Sequence, residues 1–401
     1  MNDRPGFWQR PVTAFAVLVA LHFAVDFYAG LLTPLPEPTL TRHLHTNIGR
    51  IALLIGGWAL LVNAVQPLSG GLLPGRGWPL LLILGAPAAA LTTLIGLTTS
   101  WWGVGALLAL SGCGIGMLHP EAALAVHGLG GRRAGAAVGL FMSMGYFGVA
   151  CGGIVGGLWA ERWQLQGFWL LALPALALGW AAWRARVHCV PHAIITAPAA
   201  GAAAAGPSFR LVLGTAIGVA VFMTLVLRFT TPLLVRRFPE AAAQGWGGAA
   251  VFATGLTGAL GACGWGALAD RLGPARILPW LCLAALPFLV LLLGVTNPAW
   301  APVWALGLGA TVGSAFPLIV VQAGHARGGS HRLRLGLIIG GAWGLGESAF
   351  MFGGQFVNRY PPQDDRPVTW ILALCGLLLP STAALAWRGR QPPATPSTPQ
   401  G

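Results

Sequence analysis

Residues Ile277-Leu-Pro-Trp-Leu-Cys-Leu-Ala-Ala-Leu-Pro-Phe-Leu-Val-Leu-Leu-Leu-Gly-Val-Thr296 run for twenty positions without one charged side chain. A helix of about 20 apolar residues is as long as the hydrocarbon core of a bilayer is thick. In water such a helix has no polar face to turn outward, so the stretch is read as a membrane span. The same ruler, laid along the chain, marks spans near 12–34, 49–72, 78–100, 103–126, 134–158 and 167–183, then 211–233, 246–268, 277–296, 299–323, 335–357 and 368–387. Between the two sets lies 184–210, whose Ala193–Gly206 run of Ala, Pro and Gly reads as a flexible linker.

Composition agrees. Only 8% of residues are charged, 56% are hydrophobic and the mean hydropathy is +0.72; a water-soluble chain carries about 25% charged residues. The 59 glycines and 30 prolines sit largely inside the apolar runs, where small residues allow close helix contact and proline is tolerated. All 23 basic residues are Arg. They are scattered singly or in pairs, so the net charge of +13 does not form a nucleic-acid surface. The six cysteines follow no pairing pattern and read as small core residues. The apolar stretch after Met1–Arg10 lacks a small-residue cleavage site and reads as a first span.

The expectation is an all-α integral membrane protein of about twelve transmembrane helices in two six-helix lobes. Its divisions are an N-terminal lobe 1–183, a cytoplasmic linker 184–210, a C-terminal lobe 211–387 and a cytoplasmic tail 388–401. Placing both termini in the cytoplasm puts fifteen Arg residues on that side and seven outside, with Arg228 inside a span, as the positive-inside rule requires. The expected location is a bacterial inner membrane. No phosphate loop ending in Gly-Lys-Ser/Thr and no nucleophile signature is present, so neither an enzyme nor a cofactor is expected. His188-Cys189-x-x-His192 is one short cluster in the linker, and no metal is expected either.

After the eighth span the chain reads Gly266-Ala-Leu-Ala-Asp270-Arg271-Leu-Gly273-Pro-Ala-Arg276. It resembles the loop signature of the major facilitator superfamily, and Asp270 can cap a helix start while Arg271 and Arg276 hold neighbouring helix ends. The equivalent first-half loop, Gly70-Gly-Leu-Leu-Pro74-Gly-Arg76, lacks the acid. The fifth span holds Gly148, Gly152, Gly153, Gly156 and Gly157, spaced for close packing. It is similar to the fifth-helix motif of antiporters in that superfamily, except that Gly153 stands where a Pro is usual. His22-Phe-Ala-Val-Asp26, Gly112-Cys-Gly114-Ile-Gly116-Met-Leu-His119-Pro120-Glu121, Gln66-Pro67 and Gly313-Ser314-Ala315-Phe316 together resemble the fosmidomycin-resistance family of efflux proteins. The resemblance implies a proton-driven exporter of small polar or drug-like compounds, with protons and that compound as partners in a bilayer-embedded monomer.

Ionisable groups inside a span cost several kcal/mol and mark function by default. The acids well inside the expected spans are Asp26, Glu121 and Glu347. His22 and Asp26 lie one helical turn apart and share a face, suited either to carrying a proton or to a structural hydrogen bond. Pro120, between His119 and Glu121, is expected to break the fourth helix, which makes this segment either a gate or a capped kink. The candidate proton-coupling residues are therefore Asp26, His22, Glu121 and His119. Candidate substrate-binding residues are Arg228, Glu347 and Tyr28. Arg228 either holds an anionic group or reaches to the interface, and Glu347 either serves as a private site or pairs with Arg228. Uptake of an organic anion on Arg228, or a non-transporting scaffold, are the rival readings.

Overall fold

The structure, a computed structural model, describes residues 8, 10–32, 35, 39–46, 48–72, 80–189, 206–239, 246–328, 330–357, 359–361 and 363–389. Most of the linker run at 193–205, the tail from 390 and the first-half loop residues Pro74 and Arg76 lie outside them. Six long helices precede residue 190, namely α1 (Pro11–Leu31), α2 (Ile48–Leu72), α3 (Leu81–Leu97), α4 (Trp101–Gly130), α5 (Ala134–Trp163) and α6 (Phe168–Arg184). Six follow residue 206, namely α7 (Phe209–Arg237), α8 (Trp246–Leu272), α9 (Pro274–Leu293), α10 (Pro298–His325), α11 (Leu333–Val357) and α12 (Arg366–Arg388). By length and composition, eight stretches can cross a bilayer, and one of them, Trp101–Ala160, is 60 residues long and holds α4 and most of α5. Three shorter apolar helices, Leu53–Leu68, Leu81–Leu97 and Phe168–Arg184, add to these.

The second set of helices repeats the packing of the first. α1 lies on α5 as α7 lies on α11, α2 on α4 as α8 on α10, and α3 on α6 as α9 on α12. Small residues make the first of these contacts close: a Cβ added to Gly148, Gly152 or Gly156 of α5 would lie 2.1–2.5 Å from the carbonyl oxygens of Phe23, Phe27 and Leu31 of α1. Gly153 faces open space. Large apolar side chains such as Trp102, Leu260, Phe352 and Leu377 are exposed, as a lipid-facing surface requires.

Contact across the two sets is made by α5 with α8 and by α2 with α11. Gly336 and Gly340 of α11 approach the Gln66 and Asn63 carbonyls of α2 so closely that a Cβ on either would fall within 2.4–2.5 Å. A wide turn at Leu337–Gly341 adjusts α11 along this seam. α5 meets α8 at the end that carries Asp270, while Phe147, Ile154 and Leu158 of α5, and Phe252 and Leu256 of α8, are exposed further along. The two halves are thus locked at the Asp270 end.

The expected break at Pro120 does not occur. α4 is helical through His119, Pro120 and Glu121, because the proline removes a single donor and the rest of the hydrogen-bond ladder stays in place. The interruption falls in α10 instead, at Thr311–Ala315.

Candidate functional site

Three side chains from two helices of the first half converge. His22 and Asp26 face the same way on α1, and α4 brings His119 opposite them. His22 Nε2 stands 3.3 Å from Asp26 Oδ2, and His119 Nε2 stands 3.3 Å from Asp26 Oδ1. The two rings meet edge to face at 5.0 Å. The histidines are nearly shut from solvent, with side-chain exposures of 2% and 9%, whereas Asp26 keeps 18%. The carboxylate is the accessible end of the cluster.

Backbone carbonyls fix the proton arrangement. His22 Nδ1 lies 2.6 Å from the Phe141 oxygen on α5, and the ring stacks on Phe141 at 3.9 Å. His119 Nδ1 lies 2.7 Å from the Ile115 oxygen one turn back on its own helix. A carbonyl oxygen only accepts, so each Nδ1 carries the hydrogen. In the neutral rings both Nε2 atoms then present lone pairs, and they present them to a carboxylate. Without a shared proton or another cation, two ring nitrogens and two carboxylate oxygens would all be acceptors pointed at one another at depth. Such a cluster is stable only when it holds a cation, because buried unsatisfied acceptors cost about 1–3 kcal/mol each. Gly145 of α5 leaves the room: a Cβ there would lie 2.4 Å from both Asp26 Oδ2 and His22 Cε1.

Of the other candidates in this half, Glu121 is buried at 1% exposure, two residues beyond His119. Tyr28 is buried as well, and its hydroxyl donates to the Leu171 carbonyl at 2.7 Å, so its polar atom is engaged in holding α1 to α6.

The second half carries a different constellation. Arg228 of α7 donates from Nη2 to Glu347 Oε1 of α11 at 2.9 Å, and its guanidinium lies 5.5 Å from the Phe350 ring centre. Glu347 is 17% exposed and Arg228 42%. One cation meets one anion, and the pair requires no further ion.

At the locked end, Asp270 Oδ1 accepts from the Gly135 N–H at 2.8 Å and Oδ2 from the Ala136 N–H at 3.0 Å. These donors belong to the first turn of α5, where helical N–H groups lack intrahelical partners and the helix dipole favours a negative charge. An acid in the last turn of α8 thereby caps a helix of the other half. The approach requires glycines: a Cβ on Gly135 or Gly266 would lie 2.6 Å from the other's carbonyl oxygen. Gly273 turns the chain from α8 into α9 at φ +81°, in the region that favours glycine. Arg271, Gly273 and Arg276 line a cavity of about 800 Å³ with Pro207, Gln322 and His325. Ser143 of α5 closes the same seam, donating to the Ala259 carbonyl.

Sequence reasoning paired His22 with Asp26 but left His119 in a separate element, and it missed Gly135, Gly139, Gly145, Gly336 and Gly340. The glycines at 135 and 139, and at 336 and 340, carry the small-xxx-small spacing that could have found them. His43 Nε2 lies 2.8 Å from the Thr98 carbonyl oxygen and so ties the connection between α1 and α2 to the end of α3.

A sequence model of the family described as Major Facilitator Superfamily matches residues 17–346. Among solved structures, the transporter FucP in its outward conformation is 14% identical with a TM-score of 0.64, covering 93% of this chain and 98% of that one. A variant of the E. coli fucose:proton symporter FucP is 15% identical with a TM-score of 0.67, over 94% and 99% of the two chains. The human organic anion transporter MFSD10 is 16% identical with a TM-score of 0.64, over 96% and 98%. No curated protein matches the sequence.

Proposed function

This chain belongs to the Major Facilitator Superfamily, a family of membrane transporters, and we propose that it is a proton-coupled antiporter that exports a small polar or drug-like compound by alternating access. The observation that carries the reading is the cluster of His22, Asp26 and His119, in which each ring Nε2 stands 3.3 Å from an Asp26 oxygen. A proton entering between Asp26 and either Nε2 turns a repulsive contact into a charge-assisted hydrogen bond. A cargo that contacts Asp26 competes with that proton, and the competition is what couples the two fluxes in opposite directions.

The lobes, 1–183 and 211–387, rock about the seams α5–α8 and α2–α11. With both termini and the 184–210 linker in the cytoplasm of a bacterium, as the Arg asymmetry favours, the Asp270 end faces inward. The structure then represents a state closed to the cytoplasm, and Asp270 releases the first turn of α5 when that side opens. The tail 388–401 remains cytoplasmic, and the unit is a monomer. The likeness of His22–Asp26 and His119-Pro120-Glu121 to the fosmidomycin-resistance family favours export over uptake. Uptake of an organic anion on Arg228 is disfavoured by Glu347, which already neutralises that guanidinium.

A growth screen of expressing cells against toxic compounds identifies the cargo, and counterflow in proteoliposomes under opposed pH gradients tests the direction. Antiport predicts that an inwardly directed proton gradient drives cargo out; accumulation in the same direction as the protons would establish symport and overturn the reading. A non-transporting scaffold would tolerate neutralising Asp26, Glu121 and Glu347 together, whereas a transporter loses all gradient-driven movement.

A further inference from the structure

We propose that His22 Nε2, His119 Nε2 and the Asp26 carboxylate form a binding site for a divalent first-row transition metal cation. The three groups offer ligand atoms that all lie within 4.8 Å of one another. Around a tetrahedral ion with metal–ligand bonds of about 2.0–2.1 Å, adjacent donors stand about 3.3 Å apart. Each His Nε2 stands at 3.3 Å from the carboxylate, His22 from Oδ2 and His119 from Oδ1, so the carboxylate faces both rings at that spacing.

Distance alone does not make a metal site, and two further features point the same way. First, each ring is oriented by a backbone carbonyl on its Nδ1, at 2.6 and 2.7 Å. This is the outer hydrogen bond that metal-bound imidazoles characteristically make, fixing the tautomer that leaves Nε2 free to ligate and raising its basicity. Second, the site has a way in. The histidines are closed off, but the Asp26 side chain is 18% exposed, and Gly145 keeps the facing wall of α5 clear. Two imidazoles and one carboxylate suit zinc, cobalt or nickel, whereas magnesium and calcium favour all-oxygen shells. Three protein ligands leave at least one coordination position open, as a site that must release its ion requires. Tyr146 on α5 lies close enough to Asp26 to feel its charge, and Glu121 follows His119 by two residues on α4. The Arg228–Glu347 pair offers no comparable site, since its carboxylate is already paired with a guanidinium.

The inference narrows the small polar cargo of the proposed antiport to a metal cation, and it rests on that reading for the transport step only; binding is independent of it. The test is a Co2+ titration of the full chain, purified in detergent through a tag without histidine and followed by the visible absorption of cobalt held by nitrogen and oxygen ligands. The expected result is a saturable spectrum at one Co2+ per chain, displaced by Zn2+. H119A and D26A should each weaken Co2+ binding at least about tenfold while eluting as the wild type does on gel filtration. His45→Ala and Cys189→Ser, at exposed groups outside the cluster, should leave the titration unchanged. Absence of a saturable spectrum in the wild type, or a wild-type titration in a correctly folded H119A, would overturn the metal site. Proton-driven export of another solute without Co2+ binding would sink this inference and leave antiport standing. Binding of Co2+ without any proton-linked flux would sink antiport and leave the site.

Discussion

The two halves of the molecule pack their helices alike and each places ionisable groups on its first helix and on one partner helix, yet they treat charge in opposite ways. In the first half, two histidine Nε2 atoms face the Asp26 carboxylate, and the three groups require a shared proton or another cation between them. In the second, Arg228 and Glu347 complete each other. A site that exchanges its cation must be able to exist with and without it, and a permanently charged Arg cannot supply that alternation. Duplicated packing has thus been given one responsive site and one fixed pair. The first is suited to coupling and the second to holding the α7–α11 contact, or to orienting a cargo, with a constant charge.

The largest effect that can break this comparison is expected at Asp26. D26N removes the charge that any proton or metal must meet, and gradient-driven transport in proteoliposomes should fall at least about a hundredfold, with the folded fraction unchanged. H119Q keeps a polar group on α4 but loses the ring nitrogen, and a loss of about tenfold is expected. G145A leaves every ligand in place and pushes a methyl against Asp26 and His22; a drop of similar size, without loss of thermal stability beyond about 1–2 kcal/mol, would separate site geometry from packing. E347Q should instead lower stability by about 1 kcal/mol, because Arg228 is well exposed, while leaving proton coupling intact. A coupling defect in E347Q as deep as that of D26N would erase the proposed distinction between the halves. The smallest effect belongs to Ser330, whose hydroxyl caps the start of α11 by accepting from Leu333 N–H; S330A should cost about 0.5–1 kcal/mol in a thermal melt. That cap is the local counterpart of Asp270 on α5, supplied here by the helix's own chain.

The fold was legible because lipid imposes a simple rule. Every span must be apolar for about 20 residues, and the runs at 211–233 and 277–296 announce themselves by composition. The shorter helices Leu81–Leu97 and Phe168–Arg184 were visible by the same rule, the expected 78–100 running three residues past each end of the first and 167–183 lying one residue off the second. The site was half legible. His22 and Asp26 are one turn apart, and local helical geometry brings them together without knowledge of the tertiary fold. His119 joins them only because α4 packs on α1, a contact that no spacing within either helix encodes. Pro120 misled for a related reason: a local rule predicted a break, and tertiary packing kept the helix continuous. Tyr28 looked available beside Asp26, but a position two residues on points about 200° around the helix, and its hydroxyl is engaged by Leu171.

Proton movement measured alongside cargo movement tests the central claim most directly. Proteoliposomes with a trapped pH-sensitive dye, loaded with the identified cargo, report both fluxes in wild type and in D26N. The account predicts that wild type carries protons inward as cargo leaves, while D26N moves no protons and builds no cargo gradient. Gradient-driven export by D26N at the wild-type rate would contradict it.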